Sequence, residues 1–139
     1  MSTPPGQRFT LLEGSWAVIR LDPGAPVPEW AWTSPFCSVS RTPEELSVVC
    51  LEPAVPASAG RIEGGWALLR LHGPFPFQAV GILASVAQPL ALAGVSLFAV
   101  STFDTDYFLI KRDQLPAALD ALAAAGHMGE NLPRAAGEF

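Results

Sequence analysis

Two carboxylates, two thiols and two imidazoles are the side chains whose types and spacing raise the question of chemistry. Asp104 and Asp106 flank Thr105 just ahead of the run Tyr107-Phe-Leu-Ile110. An Asp-x-Asp pair there can hold a divalent metal, bond nearby turn backbone, or meet the cation of a ligand. Spacing alone leaves turn residue and ligand contact equally open. Cys37 and Cys50 flank the turn at Thr42 to Glu45. If Arg41 faces Leu46, then Cys37 faces Cys50, which permits a disulfide or a redox pair. Two small buried apolar residues are the plainer reading in a reducing compartment. His72 and His127 have no Cys or acid at ligand spacing, and there is no Cys-x-x-Cys, no His-x-x-x-His and no Gly-rich phosphate loop ahead of a Lys. No metal or cofactor site is expected. The loop Phe75-Pro-Phe-Gln-Ala-Val-Gly81 precedes an apolar stretch with helical spacing. Free N–H groups and the positive dipole end at a helix start suit a carboxylate, and Gly81 would admit one close to the backbone. A strand–helix turn that needs Gly for its geometry explains the same residues. No nucleophile with an adjacent base is visible, so the sequence gives little support to an enzyme.

These residues must be positioned by a small domain. The chain has 139 residues, 50% hydrophobic and 15% charged, with a formal net charge of −5. That is room for one domain or two small subdomains, and disorder is excluded. Seven Arg, one Lys and no basic run argue against nucleic acid as a partner. Two cysteines make no disulfide framework, and the first residues lack the pattern of a secretory signal. A cytoplasmic location is expected. Ala79 to Val100 is apolar over about the length of a membrane span. Gln88 and Pro89 interrupt it, Gly94 is followed by a β-rich run, and no Lys or Arg anchors either end closely. A buried helix leading into a buried strand fits better, with no membrane.

The organising feature is an internal repeat. Trp16-Ala-Val-Ile-Arg-Leu21 recurs as Trp66-Ala-Leu-Leu-Arg-Leu71, each an alternating strand-like run preceded by Gly14 or Gly65. Val39 to Val49 aligns without gaps on Val100 to Ile110, each reading as strand, polar turn ending in an acid (Glu45, Asp106), strand. On that alignment the first connection is shorter by eleven residues. The second connection forms a helix over Ala79 to Ala93, with Pro89 inside and Gly94 as its C-terminal stop. The prolines of the first allow only one or two turns, around Glu29 to Trp32. A last helix runs from an Asp113 cap to Ala125 and ends at Gly126. Pro53 to Gly64 reads as a linker. The pattern approximates βαββα in each copy and predicts an α+β fold of two tandem ferredoxin-like units, the first with a truncated helix. Residues 1–60 form the first unit, 61–126 the second, and 127–139 a loose tail. The last strand of the second unit is missing from this reading, and Phe9 to Leu12 is available to fill its place. Gly81 to Val100 is apolar nearly all round, so a further chain is expected to cover it.

The repeat carries a resemblance. Trp66 to Leu71, Phe77-x-x-x-Gly81-Ile-Leu-Ala, Pro89-Leu-Ala, and above all Ser96-Leu-Phe-Ala-Val-Ser-Thr-Phe-Asp-Thr-Asp-Tyr-Phe-Leu-Ile110 resemble the ACT-domain proteins related to the animal cytosolic arginine sensors, the CASTOR family. Arg41-Thr-Pro-Glu-Glu-Leu-Ser-Val-Val49 looks like their shortened leading unit. The resemblance implies ferredoxin-like βαββαβ (ACT) units and a regulatory, non-catalytic module that binds a free amino acid. The animal sensor carries two halves per chain and this chain is similar to one, so a homodimer would rebuild the whole. Carried over by position, the ligand contacts are Phe77 and Gly81 at the helix start, Ser96 and Leu97 at a strand start, and Thr102, Phe103 and Asp106 at the hairpin. Asp106 would supply the countercharge to a ligand cation. One half of the arginine sensor has a Glu two residues before the Gly of this loop. Ala79 stands there in this chain, which makes a smaller or more apolar amino acid as good a candidate as arginine. The alternatives are an ACT-like dimerisation module without a ligand, and a small metal-dependent enzyme using Asp104 and Asp106. No regulated protein partner follows from the resemblance.

Overall fold

The computed structural model describes residues 6–133. Two long strands organise it: β1 (Arg8–Leu21) and β4 (Arg61–Leu71). Each passes a glycine with positive φ, Gly14 at +101° and Gly65 at +75°. Only glycine takes that conformation without strain, and it lets a strand bend while its ladder continues. The sequence reading of both strands, beginning at Trp16 and Trp66, and of a linker reaching Gly64 is corrected accordingly. The strands run on through their glycines, and the stretch after Pro53 reaches a strand by Arg61. The remaining elements are β2 (Ser38–Arg41), β3 (Leu46–Leu51), α1 (Ile82–Leu92), β5 (Phe98–Ser101), β6 (Asp106–Lys111), α2 (Leu115–Ala124) and β7 (Met128–Glu130), with single 3-10 turns at Glu29–Trp32, Glu52–Ala54 and Arg112–Gln114.

The chain divides into two compact units, residues 14–66 (the lead unit) and residues 6–13 with 67–133 (the second unit). In the lead unit the strand order is β2-β3-β1-β4, with its first and third strands side by side, as a split βαβ requires. The 3-10 turns at Glu29–Trp32 and Glu52–Ala54 stand where two helices would. Ala31 of the first is fully buried with Ala17, Ile19, Val48 and Cys50, and Val27 and Trp30 pack on that cluster. One turn plus large side chains thus covers the sheet face that a helix covers elsewhere.

In the second unit the order is β7-β1-β4-β6-β5. Residues 8–13 of β1 lie beside β4, so Phe9 to Leu12 does fill the vacant slot. The His72 N–H donates to the Arg8 carbonyl at 2.8 Å. β7 lies outside β1 and pairs with it in parallel, Arg8 with Met128 and Thr10 with Glu130. The expectation of a loose tail is therefore corrected for Met128–Glu130; the last residues of that tail, 134–139, lie outside the described part. The core gathers Phe9 and Leu11 with Leu69 and Leu71 of β4, Phe108 and Ile110 of β6, and Val86, Leu90, Ala118 and Leu122 of the helices.

Both helices stop in the same way. Gly94 and Gly126 take positive φ. The Val95 N–H reaches the Leu90 carbonyl and the Gly94 N–H that of Ala91; the His127 N–H reaches Leu122 and the Gly126 N–H reaches Ala123. This paired pattern satisfies carbonyls that a helix end leaves open. At its start α2 departs from expectation. Asp113 lies in the 3-10 turn, Gln114 is the cap residue without a side-chain bond, and Pro116 falls in the first turn. Pro89 has no N–H to give the Ser85 carbonyl. His127 takes over: it is buried, its Nε2–H donates to the Ser85 carbonyl at 2.7 Å, and its Nδ1 accepts the Gln7 N–H at 2.8 Å. These two bonds fix the neutral Nε2–H tautomer.

The two hairpins correspond with an offset from the sequence alignment. The Thr42 N–H donates to the Glu45 carbonyl at 2.9 Å, and the Thr102 N–H to the Thr105 carbonyl at 2.8 Å. Thr42 therefore matches Thr102, and Leu46 matches Asp106. The gapless match of Val39 to Val100 is out by one residue. The first connection, residues 22–37, is ten residues shorter than the second, residues 72–97, rather than eleven. No helix among the described residues is long and apolar enough to cross a membrane.

Candidate functional site

The site belongs to the second unit and is built where the β4–α1 loop meets the β5–β6 turn. Thr102 closes that turn with its side chain. Its hydroxyl donates to the Thr105 carbonyl at 3.0 Å and accepts the Thr105 N–H at 3.3 Å. The turn is then tied to the strand below and to the loop beside it. The Thr105 hydroxyl donates to the Leu71 carbonyl at 2.9 Å, and the Phe75 N–H donates to the Asp104 carbonyl at 2.8 Å. Gly73 is needed in this packing, since a Cβ there would lie 2.6 Å from the Asp104 carbonyl oxygen. The loop and the turn thus form one bonded framework.

An open pocket of about 510 Å³ lies between them, lined by Phe77, Ala79, Gly81 and the first turn of α1 on one side and by Ser101 to Asp106 on the other. Five of the seven expected ligand contacts, Phe77, Gly81, Thr102, Phe103 and Asp106, line this one pocket. Ser96 and Leu97 do not: Ser96 is exposed ahead of β5, and Leu97 packs on the hydrophobic core. The Phe77 and Phe103 rings meet edge to face, centroids 4.6 Å apart, yet are 74% and 77% exposed. Two large apolar rings left in water at the mouth of a pocket form a surface suited to a partner.

At the helix start, Gly81 takes φ 85° and no side chain caps it. The first intrahelical bond runs from the Ser85 N–H to the Gly81 carbonyl at 2.8 Å. The N–H groups of Ile82, Leu83 and Ala84 therefore precede the helical ladder and carry the positive end of its dipole. Asp106 sits opposite Ser101 in the ladder, and the Ser101 hydroxyl donates to its Oδ1. Ser101 was missed by the sequence reading. The register of the hairpin, once set by Thr102 and Thr105, would have found it.

The turn also borders a more polar pocket of about 400 Å³, lined by Arg70, His72, Asp104 and Tyr107 among others. His72 itself is engaged, with Nε2 2.6 Å from the Thr10 hydroxyl and 3.8 Å from Glu130. Among the described residues no group of three or more His, Cys, Asp or Glu could hold a metal ion.

An ACT-domain family model matches residues 61–124, and a model described as an N-terminal domain matches residues 14–58. A crystal structure of a protein from Agrobacterium tumefaciens is 37% identical, covers 94% of this chain and 97% of its own, and superposes with a TM-score of 0.87. The human cytosolic arginine sensor for mTORC1, subunit 1, is 36% identical over 58 residues, which are 41% of this chain and 18% of the sensor. The match thus spans about a fifth of that relative's length. The regulatory subunit of aspartate kinase from Thermus flavus shares the fold at 14% identity and TM-score 0.58, covering 89% of this chain and 99% of its own. The ferredoxin-like architecture and the matched model agree: residues 61–124 of this chain belong to the ACT-domain family, and part of the chain is similar to the cytosolic arginine sensor.

Proposed function

We propose that this protein is a non-catalytic regulatory module that binds a free amino acid where the second units of two identical chains meet. The observation that carries the reading is the convergence on one pocket of an uncapped helix start, a carboxylate and two exposed rings. The helix-start N–H groups would take the α-carboxylate, as helix N-termini take anions generally. Asp106 would meet an ammonium or guanidinium with Oδ2, its Oδ1 being held by Ser101. Phe77 and Phe103 would form the apolar wall, and a second copy would cover them together with Val80, Leu83 and Leu92, which are exposed on the same unit. The relatives fit this role: one is named as a cytosolic sensor of arginine, another as a regulatory subunit. A cytoplasmic location follows the sensor's name. Ala79 lines the pocket and leaves it open to ligands smaller or more apolar than arginine.

The test is thermal unfolding of the full chain with each of the twenty amino acids and with Mg²⁺, beside a solution-mass measurement. A dimer is expected. One amino acid or a small class should raise the melting temperature in proportion to the logarithm of its concentration over its dissociation constant. Asp106→Ala should keep the unliganded melting temperature and lose the rise. A dimer that answers to no amino acid would leave only a dimerisation module. Stabilisation by Mg²⁺ that EDTA removes would favour metal-dependent chemistry at Asp104 and Asp106.

A further inference from the structure

We propose that Cys37 and Cys50 of the lead unit are an oxidation site, closing a disulfide across the β2–β3 hairpin when a small-molecule disulfide of the glutathione class is present. The geometry comes from the ladder. Arg41 pairs with Leu46, Val39 with Val48 and Ser38 with Val49, so the next pair outward is Cys37 with Cys50. The turn-closing bond from the Thr42 N–H to the Glu45 carbonyl makes 42/45 a hydrogen-bonded pair. Counting outward in alternation, 40/47 and 38/49 are hydrogen-bonded, and 41/46, 39/48 and 37/50 are not. Non-hydrogen-bonded pairs bring Cα atoms to about 4.5 Å, inside the range that a disulfide spans. Side-chain parity agrees. Cys50 and Val48 point into the cluster beneath the Glu29–Trp32 turn, and Val39, two residues from Cys37, packs on it too. The chain ahead of β2 also stays beside β3, because the Leu51 N–H donates to the Ser34 hydroxyl at 2.8 Å.

The two thiols differ in access. Cys37 is half-buried and Cys50 fully buried, and both are free. Burial first, and the neighbouring Cys37 second, push the Cys50 thiol up to about 11, so it is held protonated at neutral pH. The first attack therefore falls to Cys37. Its thiolate attacks one sulfur of the small disulfide, forming a mixed disulfide and expelling one thiolate. The Cys50 sulfur then attacks Cys37 Sγ, forming the internal bond. The second small thiolate leaves and takes up the Cys50 proton. Two protein thiols are oxidised and one small disulfide is reduced to two thiols.

The experiment treats the folded full chain with oxidised glutathione, then alkylates in denaturant and reads intact mass and non-reduced peptides. The expected product is a monomeric polypeptide lighter by two hydrogens, unlabelled at both cysteines, with residues 37 and 50 in one linked peptide. Its melting temperature should rise and fall back on reduction, because the cross-link restricts the unfolded chain. Cys50→Ser should stop at a glutathione adduct on Cys37, and Cys37→Ser should gain nothing. Three results would overturn the proposal: both thiols still alkylated, a wild-type adduct on Cys37 that never closes, or a link between two chains.

Discussion

The two hairpins of this chain share a turn and differ in what stands beside it. Thr42 and Thr102 close their turns with the same backbone bond, and their hydroxyls accept the N–H three residues on. Beyond the turn, the lead hairpin pairs Arg41 with Leu46 and the second pairs Ser101 with Asp106. Leu46 is fully buried. Arg41 reaches away to the carbonyls of Pro23 and Ala25, pinning the connection that replaces a helix. Asp106 instead is half-buried and faces an open pocket. One hairpin is thus built as packing and the other as a rim. The lesson is that the turn supplies the scaffold and one position beside it decides between core and site.

Exchanging those positions should break the symmetry most strongly on the packed side. Leu46→Asp puts a carboxylate into an apolar site without a partner, and a loss of about 3–5 kcal/mol by denaturant unfolding is expected. A loss below about 1 kcal/mol would mean that Leu46 is not core. The next largest effect is expected at His127, which serves the carbonyl that Pro89 abandons, a need that the helix-free lead unit does not have. His127→Ala should cost about 1–3 kcal/mol by removing the partner of the buried Gln7 N–H and of the half-buried Ser85 carbonyl. Part of that loss should vanish in a Pro89→Ala background, where residue 89 again has an N–H for Ser85; a cycle with no coupling would refute this account.

Alkaline pH probes the lead unit through one thiol. The Cys50 thiol is raised from 9.0 to about 11 by burial and then by Cys37. A raised thiol binds its proton more tightly in the folded state, so its stabilisation is complete below about pH 9 and lost as pH climbs towards 11. Melting temperature should fall over that window, and Cys50→Ala should flatten the fall. Thr42→Ala and Thr102→Ala should each cost about 0.5–1.5 kcal/mol, and by similar amounts if the turns are equivalent. The smallest change in stability belongs to Asp106→Leu, within about 0.5 kcal/mol, since Leu46 shows that the hairpin accommodates it. The same variant should abolish any ligand-induced stabilisation, and a retained response would move the site away from Asp106.

Much of this fold is legible in the sequence. The repeated Trp-Ala-x-x-Arg-Leu strands, the helix stops at Gly94 and Gly126, and the truncated first connection all followed from pattern and propensity. The register error came from pairing Glu45 with Asp106 because both are acids; the Thr hydroxyls that close the turns carry the equivalence instead. Gly14 and Gly65 read as strand starts because Gly punctuates most sequences, and here they bend strands that continue. β7 has only three residues and no apolar alternation, so nothing local announces it. The pocket gathered most of the residues expected there because the loop and the turn are hydrogen-bonded to each other, a long-range fact that no local signal carries.

The placing of residues 8–13 has a consequence for how the chain comes together. Phe9 and Leu11 belong to a core whose other members lie far along the chain, from Ala67 to Leu122. Residues 8–13 therefore wait, unpaired on one side, until residues 128–130 are in place, and such distant closures make folding slow. A fragment begun at residue 61, where the ACT match starts, would lack two of its own core side chains and leave β7 with no neighbour. Excised that way, the recognisable domain should be the piece that fails to hold itself together.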